Sequence, residues 1–182
     1  MSSVGAFQRF TGAVARHFGL PPRPTNQAVF RVLVIERRRR RITNIDECVE
    51  ALRRDLEARG RTRHFLVEQV DLETLDYAGQ LRLVRDTTIF VGLHGAGLTH
   101  LMFLPAEAIV VEIKPGDFGS YLFRNLAKLC GKLYLSIATE QTYGSNQALD
   151  HDYTVSATSF VDVVGAATTA ALNFGKGVAF SG

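Results

Sequence analysis

Apolar residues along the chain follow two alternating rhythms. Short runs rich in β-branched and aromatic side chains recur at 30–35, 64–70, 89–91, 108–113 and 132–137, and each predicts a buried strand. Between them, apolar positions recur every three or four residues and predict helices. One stripe is Ile45, Cys48, Val49, Leu52 and Leu56, introduced by Asn44 as N-cap with Glu47 as capping-box carboxylate, and closed by Gly60. Others run over 72–84 (Leu75, Leu81, Val84), over 120–130 (Leu122, Phe123, Leu126, Leu129, Cys130) and from 159 onward (Phe160, Val163, Val164, Ala167, Ala171). A further amphipathic helix leads the chain at 4–18 (Val4, Phe7, Phe10, Val14, Phe18) and stops at Gly19 before Pro21, Pro22 and Pro24. Such a helix ahead of a proline linker suggests an element that packs against a neighbour.

Strand and helix therefore alternate with connections of about twenty to thirty residues, lengths that require crossovers. The expected fold is α/β: a Rossmann-like parallel sheet of about five strands with helices on both faces. The expected division is a leading helix and Pro-rich linker over 1–29, one Rossmann-like domain over 30–174, and a tail over 175–182. Residues 114–117 (Lys-Pro-Gly-Asp) read as a turn, and 138–156 as a long polar loop.

One stretch departs from both rhythms. After the apolar run Ile89–Phe90–Val91 come Gly92, Gly95 and Gly97, and then Leu98, Leu101 and Met102 at helical spacing. Strand, glycine turn and helix in that order are the ingredients of a phosphate cradle, in which amides approach an anion and the helix N-terminus adds partial positive charge. His94 lies inside the turn and His100 just beyond it. On spacing alone, an anion site and a plain connecting turn both remain open. Five arginines, Arg37 to Arg41, directly follow the first strand. They read either as a solvated basic loop or, at the carboxyl end of a parallel strand, as bidentate phosphate contacts.

Composition narrows the partners. The chain has 182 residues, 46% of them hydrophobic, enough for one sizeable core. A formal charge of +3 admits an anionic ligand, and with no interleaved aromatics in the arginine run it does not point to nucleic acid. Cys48 and Cys130 form neither a disulfide framework nor a thiolate zinc site, no metal is expected, and both read as buried free thiols. No apolar stretch reaches the roughly 20 residues of a membrane span. Arg9, Arg16 and His17 interrupt any signal-peptide core in the first thirty residues, counted from Met1.

The segment 90–100 (Phe-Val-Gly-Leu-His-Gly-Ala-Gly-Leu-Thr-His), with Leu104-Pro105 and Val110-Val111-Glu112-Ile113, resembles the signature of glycosyltransferase family 61. The branch it is most similar to is the EGF-domain-specific O-linked N-acetylglucosamine transferases, where histidine commonly fills the position of His100. Arg37 with Arg41-Ile42-Thr43-Asn44, the helix around Gln80, and 121–131 (Tyr-Leu-Phe-Arg-Asn-Leu-Ala-Lys-Leu-Cys-Gly) resemble further family segments. The likeness covers roughly 30–137 well.

The resemblance implies the C-terminal half of a two-Rossmann-domain (GT-B) inverting transferase. That half holds a UDP-sugar donor, UDP-N-acetylglucosamine above others, with no tightly bound cofactor. The protein acceptor would be met through an N-terminal domain absent from this chain, in the lumen of the endoplasmic reticulum or Golgi. In this reading Gly95, Ala96 and Gly97, with His94, hold the diphosphate, and His94 is the best candidate to stabilise the leaving group. Arg37 is the natural second clamp, with Arg41 in reserve. Glu112 would accept from the ribose hydroxyls or form a structural pair with Arg37 or Lys114. His100 reads as a core histidine, Tyr121 as packing or facing the base, and Thr99 as a cap or a phosphate contact. No residue stands out as general base. A non-catalytic nucleotide-binding module of the same fold is the alternative. A nicotinamide-dependent oxidoreductase is weaker still, because the glycine turn follows the third strand rather than the first.

Overall fold

A computed structural model describes residues 3–21, 29–116, 119–141 and 151–178. Five strands form one sheet: β1 (Phe30–Glu36), β2 (Phe65–Asp71), β3 (Ile89–Leu93), β4 (Ile109–Lys114) and β5 (Leu133–Ala138). Their order is β2-β1-β3-β4-β5 and every neighbouring pair is parallel. The chain order reverses direction between β1 and β3, which makes their carboxyl ends the switch point where open α/β sheets take ligands.

The helices are α1 (Ser3–His17), α2 (Ile45–Ala58), α3 (Tyr77–Arg85), α4 (Leu122–Leu129) and α5 (Ala157–Val178). Alternation along each strand divides the core into two layers. Val32, Val34, Ile89, Val91, Ile109 and Val111 face α2 and α5, joined by Cys48, Leu52, Leu56, Phe160 and Val164. Leu33, Ile35, Phe90 and Val110 face the other way, against Leu81, Leu98, Leu101 and Phe123. Each such side chain, buried from water, contributes about 1.5–3 kcal/mol. The leading helix belongs to this second layer, where Phe7, Val14, Ala15 and Leu20 pack onto the sheet's own core.

Several local features differ from the pattern expected in the sequence. The helix expected over 72–84 is split into a 3-10 turn, Leu72–Thr74, and α3, because Asp76 takes the Gly79 amide and caps a new helix there. Asp71 accepts from Glu73 N at 2.9 Å, and Asp76 caps α3 by accepting from Gly79 N at 2.7 Å. After the glycine turn the chain forms an eight-residue 3-10 helix, Ala96–Phe103, rather than an α-helix. Two side chains there bond carbonyls three residues back: Thr99 Oγ1 donates to Ala96 O at 2.7 Å, and His100 Nδ1 to Gly97 O at 3.1 Å.

Asn44 makes no side-chain cap to α2. It grips residue 155 instead, donating to Val155 O at 2.8 Å and accepting from Val155 N at 3.1 Å. Together with the bridge Ile42↔Tyr153, this ties the segment after β1 to the segment before α5. That last helix begins at Ala157, with Ser156 Oγ accepting from Ser159 N, and runs to Val178 through part of the expected tail. The linker at 22–28, residues 117–118 of the turn, 142–150 of the long loop and the end of the tail at 179–182 lie outside the described residues.

Candidate functional site

The glycine turn is built at the carboxyl end of β3, and each glycine answers a close neighbour. Gly92 pairs with Ile35 of β1, and a Cβ there would lie 2.5 Å from Ile35 Cγ1. Gly95 has φ 153° and ψ −178°, a region essentially reserved for glycine. A Cβ on Gly95 would meet Arg37 Nη1 at 2.2 Å. Arg37 therefore lies against the turn itself, and its Nη1 donates to His94 O at 3.0 Å. The first internal bond of the 3-10 helix runs from Leu98 N to Gly95 O, so the amides of Ala96 and Gly97 precede its hydrogen-bonded turns. Arg37, His94 and the 95–97 turn thus meet across the β1/β3 switch point.

His94 is half of a buried polar pair. Its own amide extends the sheet by donating to Ile113 O at 2.8 Å. Its Nδ1 bonds Glu112 Oε1, and the ring contacts Phe123 edge-on with centroids 5.0 Å apart. Glu112 is only 1% exposed, and its other oxygen accepts from the Tyr134 hydroxyl. The structural partners of Glu112 are therefore His94 and Tyr134, not Arg37 or Lys114. Each oxygen of this enclosed carboxyl has one partner within the chain itself. Burial first, and then the hydrogen bond to Glu112, push the Tyr134 phenol well above its ordinary pKa, so it remains a donor.

The five arginines part ways. Arg38 pairs with Asp71 at 2.8 Å, which holds the Asp71 carboxyl below its ordinary range. Arg41 is engaged by Asp152 at 3.1 Å, and its amide donates to the same carboxylate at 2.7 Å. Arg37 is drawn below the usual arginine range first by burial and then by the charge of Arg40. Arg40 itself carries a positive φ of 55°. Arg37, Arg40 and Arg41 line one small pocket above the sheet, together with Glu36 and the apolar Val34, Leu93, Ile42 and Ile113. Three guanidinium groups and one carboxylate beside apolar side chains suit an anionic ligand with a flat apolar part.

Of the other residues singled out, His100 is partly buried with its Nε2 unpartnered among the described residues, and burial lowers its pKa. It is neutral at pH 7. Tyr121 does not pack into the core: it is 59% exposed, with Lys114 and Arg124 over its ring at 5.4 and 5.8 Å. Thr99 turns its hydroxyl back on Ala96 O. Tyr134 was not among the expected site residues. Its signal lay in the strand alternation, which puts Tyr134 on the same sheet face as Glu112 and His94. Among the described residues no group of His, Cys, Asp and Glu is arranged to hold a metal ion, and no helix is long and apolar enough to cross a membrane.

In the solved structure of a diflavin flavoprotein A3 from Nostoc sp., the same fold recurs with a TM-score of 0.50 at 16% identity, covering 81% of this chain and 99% of that one. Curated relatives are closer in sequence. The EGF domain-specific O-linked N-acetylglucosamine transferase of Xenopus laevis is 36% identical over 137 residues, covering 72% of this chain and 24% of that protein. Those of Drosophila melanogaster and Bos taurus are 34% and 35% identical, over 73% and 74% of this chain. The chain spans about a quarter of the length of these relatives. The sequence model of the family described as Glycosyltransferase 61 matches residues 2–111, a span that includes β1, β2, β3, the glycine turn and the first half of β4. The chain belongs to glycosyltransferase family 61.

Proposed function

We propose that this chain is the donor-binding part of an O-linked glycosyltransferase acting on protein, with a UDP-sugar as donor and UDP-N-acetylglucosamine as the first choice. The observation that carries the reading is the meeting of Arg37, His94 and the 95–97 turn at the β1/β3 switch point. Negative charge grows on the departing UDP during transfer, and fixed donors aimed at it lower the barrier without a metal. The amides of Gly95, Ala96 and Gly97, the His94 ring and the Arg37 guanidinium supply such donors. Arg40 joins them in place of Arg41, which Asp152 already engages.

The relatives' name supplies the sugar and the class of acceptor. An inverting mechanism, a GT-B pairing with a second Rossmann domain that receives the acceptor, and a luminal setting in the endoplasmic reticulum or Golgi belong to the same proposal. Glu112 acts here on His94 rather than on the ribose.

Titration calorimetry of the full chain with UDP, UDP-N-acetylglucosamine and NAD tests this reading. Uridine nucleotides are expected to bind and NAD not to. Arg37→Ala and His94→Ala are each expected to weaken UDP binding by about tenfold or more, the worth of one charge-assisted contact. UDP affinity unchanged in both variants would move the donor site elsewhere. Sugar transfer or UDP-sugar hydrolysis by the chain distinguishes the enzyme from a non-catalytic nucleotide-binding module of the same fold.

A further inference from the structure

Beneath the glycine turn three polar side chains from three adjacent strand ends are stacked on one sheet face. His94 follows β3, Glu112 lies in β4 and Tyr134 in β5. Their chemistry is constrained by burial. Glu112 is 1% exposed, and a carboxylate so enclosed must have its oxygens satisfied or cost several kcal/mol. It has two partners, the Tyr134 hydroxyl on Oε2 and His94 Nδ1 on Oε1. A carboxylate accepts only, so Nδ1 must carry a proton.

We infer that Tyr134 is a positioning residue for His94, acting through Glu112: by holding one carboxylate oxygen it fixes the other on His94 Nδ1, and so sets which ring nitrogen bears the proton. The inference rests on the proposed role of His94 at the diphosphate. With Nδ1 committed to Glu112, Nε2 is the nitrogen that addresses an anion. The Glu112 carboxylate thereby stands behind the ring, on the side away from the phosphate, and no bond to the sugar is made or broken.

The charged and titratable groups around His94 are consistent with this. Glu112 faces it from β4 and Tyr134 stands behind that carboxylate from β5. From β1's end the Arg37 guanidinium meets the His94 carbonyl. On α4 the Arg124 charge acts on Tyr134, and the ring neighbour is the neutral Phe123. Glu112 is thus the anion in contact with the imidazole among these groups.

The test uses the full chain labelled with 15N in its histidine rings. In the wild type without ligand, at alkaline pH where a neutral ring shows its tautomer, His94 is expected to carry its ring proton on Nδ1. In Tyr134→Phe, which keeps the ring and its packing, the two nitrogen shifts should move toward each other as the tautomers mix. UDP affinity should fall about tenfold, the effect of loosening one buried hydrogen bond. Glu112→Gln keeps an acceptor for Nδ1 and so should keep the tautomer.

Unchanged ring nitrogens in Tyr134→Phe would overturn the relay, whatever UDP does. If the wild type binds no UDP while its nitrogens respond to Tyr134→Phe as expected, the relay stands and the assignment of the donor site falls.

Discussion

Replacing Gly95 by alanine isolates the contact on which the site depends. At φ 153° and ψ −178° the alanine backbone is strained by on the order of 1–3 kcal/mol. Its methyl also lands 2.2 Å from Arg37 Nη1 and 3.0 Å from Cζ, so the guanidinium must leave. With it goes the 3.0 Å hydrogen bond to His94 O, worth about 1 kcal/mol for a charged donor that is partly solvated. Gly95→Ala is therefore expected to lower stability by roughly 2–4 kcal/mol. In an Arg37→Ala background there is no guanidinium to displace, and only the backbone strain remains. The two substitutions should then be less than additive, by about 1 kcal/mol. Urea denaturation of the four proteins measures this directly, read from midpoints at a common slope. UDP affinity should fall in Gly95→Ala about as far as in Arg37→Ala, since both empty the same place. Additivity to within about 0.3 kcal/mol would refute the idea that Arg37 rests on the turn.

Two further outcomes follow from other parts of the molecule. Arg40 holds a left-handed backbone at φ 55°, so Arg40→Gly should stabilise the domain by about 0.5–1 kcal/mol while weakening UDP binding. Stability and affinity moving in the same direction would return Arg40 to ordinary surface charge. Burial raises the Cys48 thiol from 9.0 to about 11, so the protonated thiol is favoured in the folded state. Its contribution is complete below pH 9 and is lost as pH rises to about 11, and an alkaline unfolding scan should lose that limb in Cys48→Ala.

Most of the fold is legible in the sequence because the sheet is buried on both faces. Five runs of β-branched and aromatic residues, spaced too far apart for hairpins, admit little besides a parallel sheet with crossing helices. The departures lie where a side chain competes with a backbone pattern. Asp76 interrupts what reads as one helix, since it takes the Gly79 amide that the helix would have used. Asn44 has the residue type and spacing of a cap, yet its amide satisfies both backbone groups of Val155. That partner is 111 residues away, and no local rule anticipates it.

The site was legible to the extent that it is local. The 92–97 glycines, His94 and the arginines after β1 announce themselves by their place at strand ends, but the division of labour among the arginines does not. Arg38 and Arg41 differ from Arg37 only through Asp71 and Asp152, which come from other segments. Glu112 shows why burial decides such questions. From sequence its carboxylate at a strand end is a natural ribose ligand, and its alternative partners are the nearest cations. Counting alternation instead puts His94, Glu112 and Tyr134 on one face, with β4 residues 109–114 in register with β5 residues 133–138. Val110 opposes Tyr134, so the phenol lies one diagonal step from Glu112. A tyrosine at that step in an otherwise apolar layer needs an acceptor, and a buried carboxylate needs donors. Each group's requirement is met by the next, from the edge strand inward to the glycine turn, so the edge strand's polar residue belongs to the site although it stands two strands away from the loop that names it.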